Sequence, residues 1–509
     1  MSRKQTPDDP NGWGTRLKDL EARNDAARGM GGKEKLERLR AKGHLDARSR
    51  IGGLLDSDSF REIGRLVGAI SEQVPADAFP AGFGTIEGRP VLVGAEDFSV
   101  AGGSIGLGAA DKRYRLTQLA LQEKVPLILM LHGAGHRITN ALRGHGRTPN
   151  DLQGLVDLSG IVPTVCLVLG PAAGHSALAA PLMDFAVMTQ QSALFSAGPP
   201  LVEAAVGEKV TKEELGGPQV HTLQSGVAHN VVEDDQAALA LARRYLSYFP
   251  SNAWSVPPDQ PGDDSGPRAL ETLLSILPAD DRRPYRMRKV LALLTDAGSL
   301  LELQPGYGES MVTALARLGG QSVALLANDP SHKAGTLDRA AAEKGARFLQ
   351  VADSFGLPVI FLADNPGVMA GTAAEREGAL RAAARLFAAQ RRLRVPKLHV
   401  TLRKAFGFGS SAMGMNPFDQ QTLTLALPGA TLGAMPARGG GAAAHADAGE
   451  QAELDAAESG GPYSIADHMG FDEVIDPRDL RNALLDGLKL ASARSAIGYG
   501  PRPGGGPLP

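Results

Sequence analysis

Apolar and polar positions follow one another along the chain in a pattern that predicts strand–helix–strand units. The apolar runs RPVLVGAEDF at 89–98 and VPLILML at 125–131 are typical of buried strands. Between them, DKRYRLTQLALQEK has apolar residues at helical spacing, at Leu116, Leu119 and Ala120. Because units of this length favour right-handed crossovers, the pattern predicts an α/β core.

The same pattern occurs a second time. QSVALLAND, LDRAAAEKGARFLQVADSFG and PVIFLAD repeat the strand, the helix and the next strand. Glycine and proline landmarks of the first half recur in the same order in the second half, with spacings equal to within one residue. The landmarks are Gly103, Pro126, Pro163 and Gly174 in the first half and Gly335, Pro358, Pro396 and Gly407 in the second. This agreement predicts an internal duplication.

Composition divides the chain into five predicted segments. A charged, helix-prone arm occupies residues 1–47, and the two domains occupy 48–255 and 269–495. The linker 256–268 lies in a stretch where Pro, Gly, Ser and Asp gather without periodicity. The tail 496–509, which contains GYGPRPGGGPLP, is predicted to be disordered.

Overall composition narrows the class of protein. With 509 residues, 43% apolar and 21% charged residues and a formal charge of −3, the chain is typical of globular proteins and gives no indication of nucleic-acid binding. The single cysteine, Cys166, excludes disulfides within the chain and fits a reducing compartment. The first residues lack the apolar region of a signal peptide, and no apolar run approaches the roughly 18 residues of a membrane span. We therefore expect a cytoplasmic protein.

Each half places a glycine-rich turn after an apolar strand, GPAAGHS at 170–176 and KAFGFGSS at 404–411. Backbone N–H groups in such a turn can bind an anion or a developing oxyanion, because they are oriented in advance. The alternative interpretation is that these glycines serve only tight turns and close packing. Neither turn has the phosphate-loop pattern, and AGGSIGLGAAD fits a dinucleotide fingerprint poorly. No acid–base pair is evident beside either turn, which favours chemistry whose proton acceptor belongs to the substrate or a cofactor.

Several segments resemble the carboxyltransferase subunits of biotin-dependent acyl-CoA carboxylases, the family of the propionyl-CoA carboxylase beta chain. They include the arm RNDAARGMGGKEKLERLRAKGHLDARSRIGGLLDSDSFREI, VAGGSIG, GPAAG, NPGVMAGTAAE and TLRKAFGFG, in the order of that family. The most specific segment is TKEELGGPQVHTLQSGVAH at 211–229. The resemblance covers residues 18–495 and implies two tandem crotonase-like domains, each a ββα superhelix of the ClpP/crotonase superfamily.

The resemblance implies an enzyme that moves a carboxyl group from carboxybiotin to the alpha carbon of an acyl-CoA through an enolate. Two anions develop, and two backbone oxyanion holes are implied, from Gly174 with His175 and from Phe408 with Gly409. Other positions that match the family's motifs are expected to contact substrate or biotin. The substrate-binding positions are Gly102, Gly103, Ser104, Arg137, Gly407 and Ser411, and the biotin-binding positions are Gly367 and Gly371.

The implied partners follow from what the chain lacks. It contains no AMKM biotin-attachment motif and no biotin carboxylase region. The resemblance therefore implies an alpha subunit that supplies biotin carboxylase and the biotin carrier, coenzyme A as part of the substrate, and a homo-oligomer, usually a hexamer. In that hexamer, facing holes come from the N-terminal half of one subunit and the C-terminal half of another.

The chain departs from the family pattern at several of these positions. The usual DSGGAR is HGAGHR at 132–137, the usual AGGA is AGHS at 173–176, PGFxPG is PGVMAG, and GGAYD is GFGSS. Two alternatives therefore stay open: a biotin-dependent acyl-CoA decarboxylase alpha-type subunit, and a catalytically impaired structural paralogue in a mixed hexamer. A crotonase-type hydratase would need a glutamate pair that is not placed beside these turns.

Six polar residues near the turns have competing interpretations. The histidines fit altered packing or a proton relay, and we expect no metal because the glycines of HGAGH disfavour a helical two-histidine zinc site. The cations fit either the phosphates of coenzyme A or solvated charge. The residues are His132, His136, His175, His332, Lys333 and Lys404.

Overall fold

The computed structural model describes residues 12–68, 74–143, 150–280, 282–502 and 505–509. They form two compact units. The first unit comprises the described residues up to Leu158 together with Thr164–Pro218 and Val231–Arg243. The second comprises Ser159–Pro163, Gln219–Asn230 and the described residues from Arg244 onward. The predicted linker 256–268 lies within the second unit.

The first unit contains a sheet flanked by helices. Its strands are β1 (Arg61–Glu62), β2 (Ala81–Ile86), β3 (Arg89–Ala95), β4 (Leu127–Gly133), β5 (Thr164–Ala173), β6 (Phe185–Thr189), β7 (Ala193–Phe195) and β8 (Asn230–Val232). Its helices are α1 (Trp13–Arg28), α2 (Lys33–Ala41), α3 (Ala47–Leu54), α4 (Leu107–Glu123), α5 (Asp151–Leu158), α6 (Ala179–Leu182), α7 (Pro199–Val206), α8 (Lys212–Gly216) and α9 (Asp235–Leu246), which ends in the second unit.

The second unit repeats this organisation. Its strands are β9 (Leu301–Leu303), β10 (Met311–Leu318), β11 (Gln321–Asn328), β12 (Val359–Asn365), β13 (Lys397–Phe406), β14 (Leu423–Ala426), β15 (Thr431–Gly433) and β16 (Glu473–Val474). Its helices are α10 (Leu273–Ile276), α11 (Met287–Leu294), α12 (Arg339–Ser354), α13 (Thr372–Glu377), α14 (Ala379–Arg391), α15 (Gly407–Ala412), α16 (Ala437–Ala444), α17 (Ala448–Ser459), α18 (Gly461–Ala466), α19 (Leu480–Leu490) and α20 (Ser492–Ser495).

The two sheets have the same topology. The first has the order β1-β2-β3-β4-β5-β6-β8, with β7 paired to β5, and the second has the order β9-β10-β11-β12-β13-β14-β16, with β15 paired to β13. In each sheet a hairpin, β2–β3 or β10–β11, leads into parallel strands. All residues of β4 and β12 are buried, as expected for parallel strands covered on both faces. The matching topology confirms the predicted duplication.

A buried lysine occupies the same place in each copy. Lys112 of α4 donates to the carbonyl oxygens of Ala76 and Phe79, and Lys344 of α12 donates to the carbonyl of Gln304 at 3.2 Å and to that of Tyr307. Burial lowers the pKa of Lys112 to about 8 and that of Lys344 to about 7. Each lysine ties its helix to the turn that precedes the hairpin.

The described residues of the C-terminal tail, 496–502 and 505–509, make specific hydrogen bonds, whereas the sequence predicted a disordered tail. The Ser159 hydroxyl donates to the carbonyl of Pro507 at 2.7 Å, and the Gly500 N–H donates to the carbonyl of Ala253 at 2.9 Å. Arg394 donates to the carbonyl of Gly500 at 3.1 Å. Glycine-rich composition suggested disorder, but the tail's backbone donates one of these hydrogen bonds and accepts the other two.

The helices of the described ranges are all too short or too polar to cross a bilayer.

Candidate active site

The predicted functional residues lie in three turns that follow consecutive parallel strands. In the first unit these turns are residues 101–104 after β3, 133–137 after β4 and 174–177 after β5. The second unit has the equivalent turns after β11, β12 and β13. Since the carboxyl ends of parallel strands meet at one edge of a sheet, each unit brings its three turns together, as in the ligand sites of other α/β proteins.

A glycine allows the first and second turns of each unit to touch. A Cβ on Gly103 would overlap the carbonyl oxygen of His132, and a Cβ on Gly335 would overlap that of Asp364. Both glycines have positive φ angles, 65° and 78°. An isolated parallel bridge joins the same two turns in each unit. The close approach therefore explains why these landmarks recur in both halves of the sequence.

Arg137 braces these turns in the first unit. Its Nη1 lies 2.7 Å from Asp77 Oδ1, its Nη2 donates to the Ser104 carbonyl at 2.9 Å, and its Nε donates to the Ser104 hydroxyl at 3.2 Å. The Gly102 carbonyl accepts from the Ala134 N–H at 3.1 Å. The structure brings the predicted substrate-binding positions Gly102, Ser104 and Arg137 together, and their contact with substrate stays a prediction.

The third turn of the first unit begins at Gly174, whose φ of 62° lies in the left-handed region. The Gly174 N–H donates to the Phe195 carbonyl at 3.0 Å, because β7 runs beside the end of β5. The Gly174 N–H is therefore engaged in a hydrogen bond within the sheet. The N–H groups of His175 and Ser176 have no hydrogen-bond partner within the described ranges. Of the donor pair expected at Gly174 and His175, the Gly174 N–H is thus engaged within the sheet, and the oxyanion-binding role of this turn stays a prediction.

The third turn of the second unit presents similar donors. Gly407 has a φ of 54° and begins α15, so the amides that follow lie in a first helical turn, where no carbonyl of the helix can accept from them. The N–H groups of Phe408 and Gly409 have no partner in the part of the chain that the structure describes. The Phe408 side chain is 43% exposed, and its ring centroid lies 5.2 Å from that of Phe387.

The predicted biotin-binding glycines lie close to the third turn of the second unit, which begins at Gly407. A Cβ on Gly409 would lie 2.8 Å from the Cα of Gly367, so these two residues are in close contact. Gly367 and Gly371 have φ angles of 121° and 117°, which favour glycine, and a Cβ on Gly371 would meet no atom within 4 Å. Ser411 follows in α15 and is partly exposed. Contact of these residues with biotin or substrate stays a prediction.

A chain of buried charges lies against the third turn of the first unit. His175 Nε2 lies 2.5 Å from Asp151 Oδ1, and Arg113 Nε donates to the other oxygen of Asp151 at 2.7 Å. Arg113 Nη1 donates to Glu96 at 3.1 Å, and Glu96 also accepts from the Ser176 hydroxyl. The chain therefore links the two residues with unpaired amides to one buried guanidinium.

The two carboxyl groups of this chain have pKa values displaced in opposite directions. Burial raises the pKa of Glu96. Burial opposes ionisation of Asp151 as well, but the Arg113 guanidinium and the His175 imidazole outweigh it and hold the pKa of Asp151 well below its usual range. Asp151 is therefore ionised at neutral pH and can only accept a hydrogen bond from His175.

His132 has a different environment. Its Nδ1 lies 3.2 Å from both Nη atoms of Arg50, which is paired with Asp235 at 2.8 Å, and its ring stacks on Phe98 with centroids 4.4 Å apart. Burial and the Arg50 charge lower the pKa of His132 well below its usual range. This neutral, enclosed ring favours the packing interpretation.

An open pocket of about 570 Å³ lies in the first unit beside His132 and Phe98. Its volume is within the range of small-molecule sites. Cationic side chains from α2 and α8 line it, with one carboxylate. These residues are Lys35, Arg38, Lys42, Lys212 and Glu213.

The cations that the sequence suggested for coenzyme A have carboxylates close by. Each lies within 4.0 Å of an Asp or Glu oxygen. The pairs are His332 with Glu309 at 3.6 Å, Lys333 with Asp338 at 2.5 Å, and Lys404 with Asp364 at 4.0 Å. The pocket beside His132 and Phe98, here called the arm pocket, gathers four lysine and arginine side chains, of which Arg38 is paired with Glu34.

The other histidines were candidates for a metal site. The rings of His136 and His175 meet edge to face, with centroids 4.7 Å apart. Within the described ranges, no three His, Cys, Asp or Glu side chains converge as metal ligands.

Sequence reasoning did not identify Glu96, Arg113 or Asp151. They lie in a strand end, in the middle of a helix and at a helix start, and no local spacing connects them. Asp151, at the start of α5, had one available signal, since Asp is favoured at helix N-termini. That signal explains the helix but not the contact with His175.

The chain is similar to known proteins along most of its length. The carboxyl transferase domain matches residues 38–499, and the chain belongs to this family. The methylmalonyl-CoA carboxyltransferase 12S subunit of Propionibacterium freudenreichii subsp. shermanii is 34% identical over 501 residues, which cover 94% of each chain. The methylmalonyl-CoA decarboxylase subunit alpha of Veillonella parvula is 33% identical over 481 residues, covering 91% of this chain and 93% of the relative.

A solved structure agrees along the whole chain. The crystal structure of transcarboxylase 12S, described as a hexamer assembly with methylmalonyl-coenzyme A and methylmalonic acid bound, has a TM-score of 0.90 and 33% identity and covers 100% of both chains. This likeness confirms the predicted α/β fold of two duplicated crotonase-like domains.

Proposed function

We propose that the protein is the carboxyltransferase component of a biotin-dependent acyl-CoA carboxylase. It moves a carboxyl group between biotin, carried by a partner subunit, and the alpha carbon of an acyl-CoA. The observation that carries the proposal is the pair of equivalent turns with unpaired amides, at His175 and Ser176 in one unit and at Phe408 and Gly409 in the other. Family membership supplies the reaction class.

The unpaired amides suit the charge that this reaction develops. Removal of a carboxyl group or of a proton from the alpha carbon leaves an enolate, whose oxygen needs donors that are already oriented. Loss of one such donor costs about 2.7–4 kcal/mol of transition-state stabilisation. Carboxybiotin supplies the carboxyl group when it is bound, and its ureido oxygen is the second acceptor that needs amide donors. A side chain added at Gly371 would meet no atom within 4 Å, which agrees with an exposed glycine surface beside these donors.

The arm pocket suits the nucleotide end of coenzyme A. That end carries phosphates, and the pocket gathers the cationic side chains of Lys35, Lys42 and Lys212 together with Arg38, which is paired with Glu34, and the carboxylate of Glu213. Arginine and lysine bind phosphate through charge-assisted hydrogen bonds. We assign this pocket to the phosphates in place of His332 and Lys333, because it gathers more lysine and arginine side chains.

The partners follow from the same proposal. Biotin comes from a biotin carboxylase and carrier subunit, and the active form is a homo-hexamer; the structure of the transcarboxylase relative is described as a hexamer assembly. Purified alone, the chain is expected to carry no covalent biotin, and mass spectrometry that finds biotin on it would contradict this assignment.

Decarboxylation by an alpha-type subunit is the second candidate, because the Veillonella relative is nearly as similar as the carboxyltransferase. The impaired-paralogue alternative is weakened, since the substitutions at His175 and Phe408 leave the backbone donors unpaired.

The test is the reverse half-reaction. The purified protein is incubated with a soluble biotin derivative and malonyl-, methylmalonyl- and longer carboxyacyl-CoA, and loss of the carboxyl group is followed. Biotin-dependent loss from one substrate supports the proposal and identifies the acyl group. An intact oligomer that acts on none of them would contradict it and favour a structural paralogue. Identification of the partner subunits that co-purify with the protein separates decarboxylase from carboxylase.

A further inference from the structure

The side chain of His175 is held in one orientation beside the first set of amide donors. Its Nε2 lies 2.5 Å from Asp151 Oδ1, its side chain is 14% exposed, and its ring meets that of His136 at 4.7 Å. The family pattern has glycine at this position, so the imidazole is a feature of this chain rather than of the turn.

The partner of His175 is itself fixed. Asp151 is buried, and its second oxygen accepts from Arg113 Nε at 2.7 Å. Arg113 is buried as well and is paired with Glu96 at 3.1 Å. A carboxylate anchored in this way cannot rotate to follow solvent, so the hydrogen bond to His175 has a defined direction.

The ionised carboxylate determines which ring nitrogen carries the hydrogen. Asp151 can only accept, so Nε2 donates and the lone pair resides on Nδ1. Nδ1 has no hydrogen-bond partner among the residues that the structure describes. The same residue therefore offers an unpaired amide donor and an unpaired ring acceptor, separated by only a few covalent bonds. An acceptor oriented by a carboxylate is the arrangement of catalytic bases in which Asp holds His.

We propose that His175 Nδ1 accepts the alpha proton of the acyl-CoA thioester, with Asp151 as its positioning residue. In this step the Cα–H bond breaks and an N–H bond forms at Nδ1. The electron pair of the broken bond moves into the thioester and gives an enolate, whose oxygen accepts from the unpaired amide of His175 or Ser176. The imidazolium is paired with Asp151 and returns its proton to the enolate or to solvent. This inference rests on the proposed function, because it takes an acyl-CoA as the substrate.

A protein base predicts a reaction that a biotin base does not predict, the exchange of alpha protons in the absence of biotin. If biotin supplied the only base, the alpha protons of an acyl-CoA would not exchange in its absence. With His175 as the acceptor, the protein exchanges them with solvent when no biotin is present. The activity is thus biotin-independent alpha-proton exchange of a CoA thioester.

The experiment measures deuterium uptake from D₂O into acetyl-, propionyl- and butyryl-CoA by mass spectrometry, without biotin. The reverse half-reaction with soluble biotin is measured on the same preparation. We compare the native chain with His175→Gly, which keeps the amide and removes the ring, and with Asp151→Asn. The matched control is His445→Gly, an exposed histidine with a φ of 56° that glycine adopts readily. Melting temperature and oligomeric state are recorded for each variant.

The native chain and His445→Gly are expected to exchange alpha protons. His175→Gly is expected to lose about 10²-fold or more of the exchange rate, the contribution typical of a positioned base. Added imidazole is expected to restore part of the rate in His175→Gly, a rescue that a purely structural role would not show. Asp151→Asn is expected to slow exchange without rescue by imidazole.

Three outcomes would overturn the proposal, and they are distinguishable. Biotin-dependent decarboxylation without any exchange would show that the proton acceptor lies elsewhere while the proposed function stands. Equal exchange by the native chain and a folded His175→Gly would exclude His175. Absence of both reactions with every CoA thioester would overturn the proposed function and this inference together.

Discussion

Substitution of Phe408 by proline and by alanine isolates the contribution of one backbone N–H. That N–H belongs to the second set of amide donors, Phe408 and Gly409. Phe408→Ala removes the ring that meets Phe387 and keeps the amide. Phe408→Pro removes the ring and the amide. The comparison of the two variants therefore isolates the amide hydrogen, since both lose the same aromatic contact.

The structure indicates that proline costs little helix stability here. Position 408 is in the first turn of α15, where the N–H has no carbonyl of the helix to bind, and proline is tolerated at such positions. Gly407 precedes it with a φ of 54°, and glycine has the conformational freedom to adjust to a following proline. We expect melting temperatures of the two variants within a few degrees.

The expected effect on rate is large. Loss of one oxyanion donor costs about 2.7–4 kcal/mol, so kcat of Phe408→Pro should fall by about 10²–10³ relative to Phe408→Ala. The assay is biotin-dependent loss of the carboxyl group from the carboxyacyl-CoA identified above, at saturating substrate. Equal kcat values for two folded variants would refute the role of this amide and leave the turn as a packing feature.

Three further predictions concern charge and reactivity. The pKa of Lys344 is near 10.5 in the unfolded chain and about 7 in the folded protein. Between these pH values the unfolded chain binds more protons than the folded one. The free energy of unfolding should therefore rise with pH, by up to about 1.4 kcal/mol per pH unit. Lys344→Met should lower this slope in urea titrations from pH 7 to 10, leaving the contribution of Lys112, and an unchanged slope would contradict a lowered pKa for Lys344. Arg38→Glu should raise KM for acyl-CoA about tenfold at low salt with little change in kcat. The control Lys489→Glu, at an exposed position, should leave KM unchanged. Equal KM values for the two variants would contradict phosphate binding in the arm pocket. Cys166 is buried and its pKa is raised by burial, so a thiol reagent should label it only after unfolding, and labelling of the native protein would show that β5 opens.

The elements that the sequence predicted are those whose signals are local. The run 125–131 and the helical spacing around Leu116 correspond to β4 and α4, and their counterparts correspond to β12 and α12. The duplication was readable because Gly103 and Gly335 each allow a carbonyl to approach where no side chain fits. A steric requirement of that kind restricts one position to one residue type, so it leaves a mark in a single sequence.

The donor assignment could not be read from the sequence for a different reason. Whether the Gly174 amide is available depends on β7, which lies beyond it in the chain and places the Phe195 carbonyl beside it. The contact of His175 with Asp151 likewise depends on how α5 packs on the end of β5. Both are tertiary contacts between segments with no shared spacing, and a motif records only the residues that are adjacent along the chain.

The two copies differ most in the charges behind the turns. Both keep the left-handed glycine, the unpaired amides and the buried lysine, which are the parts that shape a backbone site. Where the first unit has Glu96 at the end of β3, the second has Asn328 at the end of β11, whose side chain accepts from Asn365. Phe408 stands where the first unit has His175, so the second copy has an apolar ring at the place of the imidazole. The reaction forms two anions, and both units have unpaired amide donors. Only one carbon loses a proton, and within the described ranges only the first unit has an oriented imidazole beside its donors. The deuterium-exchange experiment tests whether that imidazole is the proton acceptor.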